Sequence, residues 1–138
     1  MDIKRIAHAS FKVSDMRKSV EYYCDGLGMK QKFELKDENG DPWINYLEIK
    51  PGQFLELFYD FDNLPYATHG YDFRGFLHIS LEVEDLEATK AELESKGLAI
   101  DSEIKFGPDK SYQLWSHDPD GNQIEFMQYT KDSFQLRQ

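Results

Sequence analysis

One cysteine, Cys24, stands in the 138 residues. No intramolecular disulfide can therefore staple the chain, and a lone thiol fits a reducing, cytoplasmic setting. Positive charge is also short: 16 Lys and Arg face 26 Asp and Glu, a formal net charge of −10. Nucleic acid and anionic membrane surfaces call for a basic patch, so neither is an expected partner. Long apolar runs are missing, which excludes a membrane-spanning helix, and no charged leader precedes an apolar stretch at the N-terminus. What is present suffices for a core. Apolar residues make up 40% and aromatics 14%, enough for one globular domain or two small modules sharing one core. Cys24 lies within a helical pattern beside Tyr23 and reads as a structural thiol, not a nucleophile.

The chain repeats itself. His8-Ala-Ser-Phe-Lys-Val-Ser-Asp-Met returns as His78-Ile-Ser-Leu-Glu-Val-Glu-Asp-Leu, an offset of 70 (8 to 78). Gly52-Gln-Phe-Leu-Glu56-Leu returns as Gly121-Asn-Gln-Ile-Glu125-Phe, an offset of 69 (56 to 125). Internal similarity at a fixed period implies two copies of one structural unit.

Each copy reads strand, helix, strand, strand, strand. In the first, residues 6–13 alternate, with Ala7, Ala9, Phe11 and Val13 opposite His8, Ser10 and Lys12. Ser14 or Asp15 caps a helix whose stripe is Met16, Val20, Tyr23, Cys24 and Leu27, and Gly28 stops it. Strands follow near 30–36, 43–49 and 53–59, separated by Asn39-Gly40-Asp41-Pro42 and Pro51-Gly52. In the second copy Leu77, Ile79, Leu81 and Val83 alternate with His78, Ser80 and Glu82. Glu84 or Asp85 caps a helix ended by Gly97, and strands near 99–106, 111–117 and 123–129 complete the unit. Residues 61–75 read as an aromatic linker. Residues 130–138 read as a polar, frayed tail, of which Phe134 and Leu136 could dock on a neighbour.

Both copies place one His near the start and one Glu near the end. Alternation puts His8 and His78 on the face opposite each helix, while Glu56 and Glu125 sit in otherwise apolar strands. A carboxylate there is costly to bury unless it is paired or binds a metal. If the sheets curl, their concave faces can meet as a cup lined by His8, Glu56, His78 and Glu125. Two imidazoles and two carboxylates suit a divalent first-row metal with positions left for water or substrate. His69 and His117 lack this pattern and read as solvated or turn residues.

The stretches His8-x3-Lys12-Val-x-Asp15, Tyr22-Tyr-Cys-Asp-Gly-Leu-Gly28-Met, Leu55-Glu-Leu57, His78-Ile-Ser-Leu-Glu-Val and Asp118-Pro-Asp-Gly-Asn-Gln-Ile-Glu125 resemble the vicinal-oxygen-chelate superfamily, and within it glyoxalase I (lactoylglutathione lyase). The resemblance implies an α+β fold of paired βαβββ modules with curved mixed sheets. A single domain over about 4–129 would hold modules at about 4–60 and 76–129, and similar proteins usually form homodimers. It also implies one divalent ion per site, with nickel or zinc favoured and cobalt, manganese or iron admitted. Glyoxalase I keeps a carboxylate at the position of Glu56. Fosfomycin-modifying relatives and extradiol dioxygenases lack it, methylmalonyl-CoA epimerases usually place Gln there, and metal-free drug-binding relatives lose the ligands.

The implied reaction is proton transfer next to a carbonyl through a metal-stabilised enediolate. Glu125 is the base by resemblance and Glu56 the symmetric alternative. Phe54, Phe58 and Met127 share the inferred face with the glutamates and would exclude water or bind an apolar part of a small-molecule substrate. Lys12 stands where bacterial glyoxalases usually place Arg, keeping the charge without the bidentate fork. Asp60 stands where they place Asn, and would repel a glutathione carboxylate. Lys12, Arg74, Lys105 and Lys110 could anchor an acidic substrate. The rival readings are an epimerase of a 2-keto or acyl-CoA compound, a metal-dependent dioxygenase, and a non-catalytic small-molecule binding protein.

Overall fold

A computed structural model describes residues 1–66, 72 and 74–137; His69 lies outside the described residues. The chain divides into two compact units, Met1–Tyr66 and Ala67–Gln138. Each is a βαβββ module built on an open, curved four-stranded mixed sheet.

In the first unit, β1 (His8–Val13), β2 (Lys30–Lys36), β3 (Pro42–Lys50) and β4 (Gln53–Tyr59) take the order β1-β4-β3-β2. β1 runs parallel to β4, and the other pairings are antiparallel. The parallel pairing requires a crossover, and the helix between β1 and β2 supplies it. Asp15, not Ser14, caps that helix: its carboxylate accepts from the Lys18 amide at 3.0 Å. Phe11, Val13, Asn45, Leu47, Leu55 and Leu57 are buried together with Ser19, Tyr22 and Tyr23 of the helix.

The helix departs from the expected regular α-helix. Its α-helical part, α1, covers only Met16–Val20, and Glu21–Gly26 continues as a π-helix. The Leu27 amide reaches back five residues to the Tyr22 carbonyl, at 3.0 Å. Ser19 is the buried residue of α1; the wider turn rotates the residues after it about the helix axis, and there Tyr22, Tyr23 and Gly26 are buried while Cys24 is only half-buried. Burial still pushes the Cys24 thiol up, which disfavours the thiolate a nucleophile needs. Gly28 ends the segment with φ of 77°, where a side chain would be strained.

The second unit repeats the plan. β5 (His78–Glu82), β6 (Lys105–Phe106), β7 (Tyr112–His117) and β8 (Gln123–Gln128) take the order β5-β8-β7-β6, with β5 parallel to β8. Helix α2 (Leu86–Ser95) is capped by Asp85, which accepts from the Ala88 amide at 2.9 Å. The strand expected over 99–106 shrinks to Lys105–Phe106. Ahead of it, side chains take the place of a regular ladder. Ser102 Oγ accepts from the Trp115 amide at 3.0 Å, and Ser116 Oγ donates to the Ala99 carbonyl at 2.7 Å. Local hydroxyl bonds of this kind compete with sheet pairing.

The tail is not frayed at its start. Ser133 is fully buried, its hydroxyl accepts from the Thr130 amide at 2.8 Å, and the Phe134 amide donates to the Asp109 carbonyl at 2.9 Å. These bonds tie residues 130–134 to the turn before β7.

Candidate functional site

In the first unit, the register of β1, β3 and β4 brings one set of side chains onto the sheet face turned from the helix. Ser10 lies opposite Glu56 in the parallel pair, and Tyr46 lies opposite Glu56 in the antiparallel pair. Paired residues in a ladder point to the same face, so His8, Ser10, Lys12, Tyr46, Phe54, Glu56 and Phe58 share it. His8 Nε2 stands 3.6 Å from Glu56 Oε2. Ser10 Oγ donates to the same oxygen at 2.6 Å, and the Tyr46 hydroxyl, from the cross-strand position on β3, faces the carboxylate as well. Burial alone raises the proton affinity of Glu56; the bonds from Ser10 and Tyr46 and the facing His8 outweigh it and hold the carboxyl below its ordinary value. In turn the bond to Glu56, together with burial, pushes the Tyr46 phenol up.

The second unit offers the matching pair. His78 Nε2 is 3.5 Å from Glu125 Oε2. Ser80 and Trp115 are the cross-strand neighbours of Glu125, in the places that Ser10 and Tyr46 take around Glu56. The His78 ring meets Trp115 edge-on, with centroids 4.8 Å apart. Just ahead of β8, Asp118 builds the turn that sets its register. It accepts from the amides of Asp120 and Asn122 at 2.9 and 2.8 Å and from the Asn122 side chain at 2.9 Å. The Asp-Pro-Asp-Gly-Asn motif is thus a structural device that delivers Glu125 to its place.

Both carboxylates are buried, Glu56 at 6% and Glu125 at 5% exposure. Each faces an imidazole nitrogen beyond ordinary hydrogen-bond distance. His78 Nδ1 is buried with no hydrogen-bond partner. In each unit one imidazole and one carboxylate, neither with its donor capacity filled, are side chains of the types that divalent first-row metals accept. Among the described residues, no group of three or more His, Cys, Asp and Glu side chains comes together, so each module holds a pair and not a full coordination shell.

The other expected residues scatter. Phe54 and Phe58 flank Glu56 on its strand. The Tyr46 ring meets Phe54 edge-on at 6.0 Å, and Trp43 meets Phe58 at 6.1 Å. Met127 is buried on β8, two residues beyond Glu125. Lys12 is exposed on β1. Asp60 is occupied locally: its carboxylate accepts from the amides of Asp62 at 3.1 Å and Leu64 at 2.8 Å. Arg74 is exposed, ahead of β5 and outside both sheets. His117 is half-exposed, as expected, but it is the last residue of β7 and not of a turn, and its Nδ1 lies 2.8 Å from the Asp101 carboxylate. Ser10, Tyr46 and Trp115 are site residues that the sequence pattern does not single out. The repeat itself holds a signal for one of them, since Ser10 and Ser80 each stand two residues after the His.

The sequence profile of the Glyoxalase/Bleomycin resistance protein/Dioxygenase superfamily matches residues 5–126. A probable lactoylglutathione lyase from Synechocystis is 31% identical over 130 residues, covering 89% of this chain and 94% of the relative. A Bacillus subtilis protein, YwbC, is 33% identical over 130 residues, covering 91% and 98%. Among solved structures, a glyoxalase family protein from Enterococcus faecalis superposes with a TM-score of 0.78 at 25% identity, covering 92% of this chain and 99% of that one.

Proposed function

The chain belongs to the Glyoxalase/Bleomycin resistance protein/Dioxygenase superfamily, and on that premise we propose that it is a metal-dependent, glyoxalase I-like lyase or isomerase that moves a proton next to a carbonyl. The observation that carries the reading is the duplicated pair: a buried carboxylate facing an imidazole in each module, His8 with Glu56 and His78 with Glu125. A divalent ion, nickel or zinc before cobalt, manganese or iron, held by these four side chains would supply electrostatic stabilisation of the charge that develops on adjacent substrate oxygens.

The chain's own residues do the rest. Glu125 takes the proton from the carbon next to the carbonyl and returns it to the neighbouring carbon. Phe54, Phe58 and Met127 exclude water around the glutamates, and Lys12 binds an acidic group of the substrate. The substrate is a small molecule, and a thiol adduct of a 2-oxoaldehyde fits the chemistry.

The test is solvent deuterium uptake at that carbon by metal-loaded protein, with a 2-oxoaldehyde offered with and without glutathione. Thiol-dependent uptake is the expected result; uptake absent under both conditions, and absent with 2-keto acids, would refute proton transfer. One observation favours an epimerase as the second reading. Asp60 is engaged by backbone amides and, as a carboxylate, repels the glutathione carboxylate. Exchange with a 2-keto or acyl-CoA compound and none with the thiol adduct would select it.

We propose further that the protein works as a homodimer. β2 is exposed along its whole length, with Phe33 and Leu35 among its outward residues, and an open edge of this kind invites covering. Light scattering should give a particle near twice the 16.2 kDa chain mass. A concentration-independent monomer would contradict the proposal.

A further inference from the structure

Glu56 and Glu125 occupy equivalent places in the repeat, yet their surroundings differ in one respect that bears on what each can do. Two hydroxyls face Glu56, and one of them grips it. Ser10 donates to it from β1 at 2.6 Å, and Tyr46 stands directly opposite it on β3, so hydroxyls flank the carboxylate from both neighbouring strands. Around Glu125 the Tyr46 position is filled by Trp115, which carries no hydroxyl and packs nearly perpendicular to the His78 ring. Ser80 keeps the hydroxyl of Ser10, but among the described residues no hydroxyl donates to Glu125. Its polar neighbour is His78 Nε2 at 3.5 Å.

We propose that Ser10 and Tyr46 are positioning residues that fix the orientation of Glu56 as a ligand of the site, a support that Glu125 does not have. This deepens the reading above and rests on it. A hydrogen-bond donor fixed on one neighbouring strand and a phenol on the other oppose rotation of the carboxylate. They also occupy lone pairs that would otherwise accept a proton, so Glu56 presents its remaining lone pairs in a set direction. Outer partners of this kind orient a ligand, and their loss typically weakens metal binding about 10–100-fold. Neither residue touches substrate in this scheme; both act through Glu56. The repeat makes the asymmetry informative, because the second module serves as a control built into the same chain.

The experiment is calorimetric titration of metal-free protein with zinc, on wild type and the variants Ser10→Ala, Tyr46→Phe, their double and Ser80→Ala. Far-UV circular dichroism and thermal melting of the metal-free forms show whether each variant folds. The double variant should bind zinc about 10–100-fold more weakly than wild type. Tyr46→Phe should fall between, and Ser80→Ala should remain within about twofold of wild type. Ser10→Thr, which keeps the hydroxyl, should restore most of the affinity lost in Ser10→Ala. If the double variant does not fold, Tyr46→Phe carries the comparison, since it removes one oxygen atom. Wild-type affinity in Tyr46→Phe and Ser10→Ala alike, or an equal loss in Ser80→Ala, would overturn the assignment. A wild type with no zinc affinity would overturn the metal-site reading itself, and the two failures are distinguishable in the first titration.

Discussion

Glu125→Gln is expected to retain much of the bound metal and lose most turnover, by about 10²–10⁴-fold, the usual cost of removing a positioned base. The amide keeps an oxygen with which to coordinate but is not a useful base near neutral pH. Glu56→Gln should behave differently, weakening the metal more than the proton-transfer step, because Ser10 holds Glu56 by a hydrogen bond and, among the described residues, no hydroxyl holds Glu125. The measurement is hydrogen–deuterium exchange at the substrate carbon on metal-saturated wild type and both variants. Undiminished exchange in Glu125→Gln, with loss in Glu56→Gln, would transfer the role of base to Glu56. Undiminished exchange in both would rule out carboxylate-base chemistry at these positions.

The second large effect concerns the metal. Purified protein should carry about one divalent ion per four-residue site, as the two-imidazole, two-carboxylate donor set implies, and a chelator should remove it. Binding only to the folded state stabilises it, by about 2.7 kcal/mol at a hundred times Kd, so chelation should lower the melting temperature and re-addition restore it. His8→Ala and His78→Ala should each weaken binding by at least the roughly 10–100-fold that loss of an outer partner already costs. Elemental analysis without stoichiometric metal, joined to a flat titration, would sink the metal site. An effect of one His variant alone would mean that the two modules do not contribute equally.

Some of this protein is written plainly in its sequence. The 70-residue offset between His8 and His78 announces two modules, and strict alternation along β1, β4, β5 and β8 places each His and each Glu on one face, because side chains in a strand alternate regardless of what lies beyond it. The caps and turns are equally local. An acidic residue before a helix and the Asp-Pro-Asp-Gly-Asn turn satisfy backbone amides within a few residues, and both do so here. The strands over 30–36 and 53–59 fall where composition places them. Other features depend on strand pairing. Ser10 and Tyr46 lie 46 and 10 residues from Glu56, and only the register of β1 and β3 on β4 brings their hydroxyls to its carboxylate. The pairing of β7 with β8 likewise sets Trp115 opposite Glu125, in the place that Tyr46 takes opposite Glu56. The π-helix over Glu21–Gly26 re-aims Tyr22 toward the core and leaves Cys24 half-buried, and no period of 3.6 foretells it. Along 99–104, the hydroxyls of Ser102 and Ser116 displace a ladder that the apolar pattern alone suggests. Bonds between neighbours in the chain follow from residue type, whereas bonds across strands depend on register, and register is decided by the packing of the whole sheet.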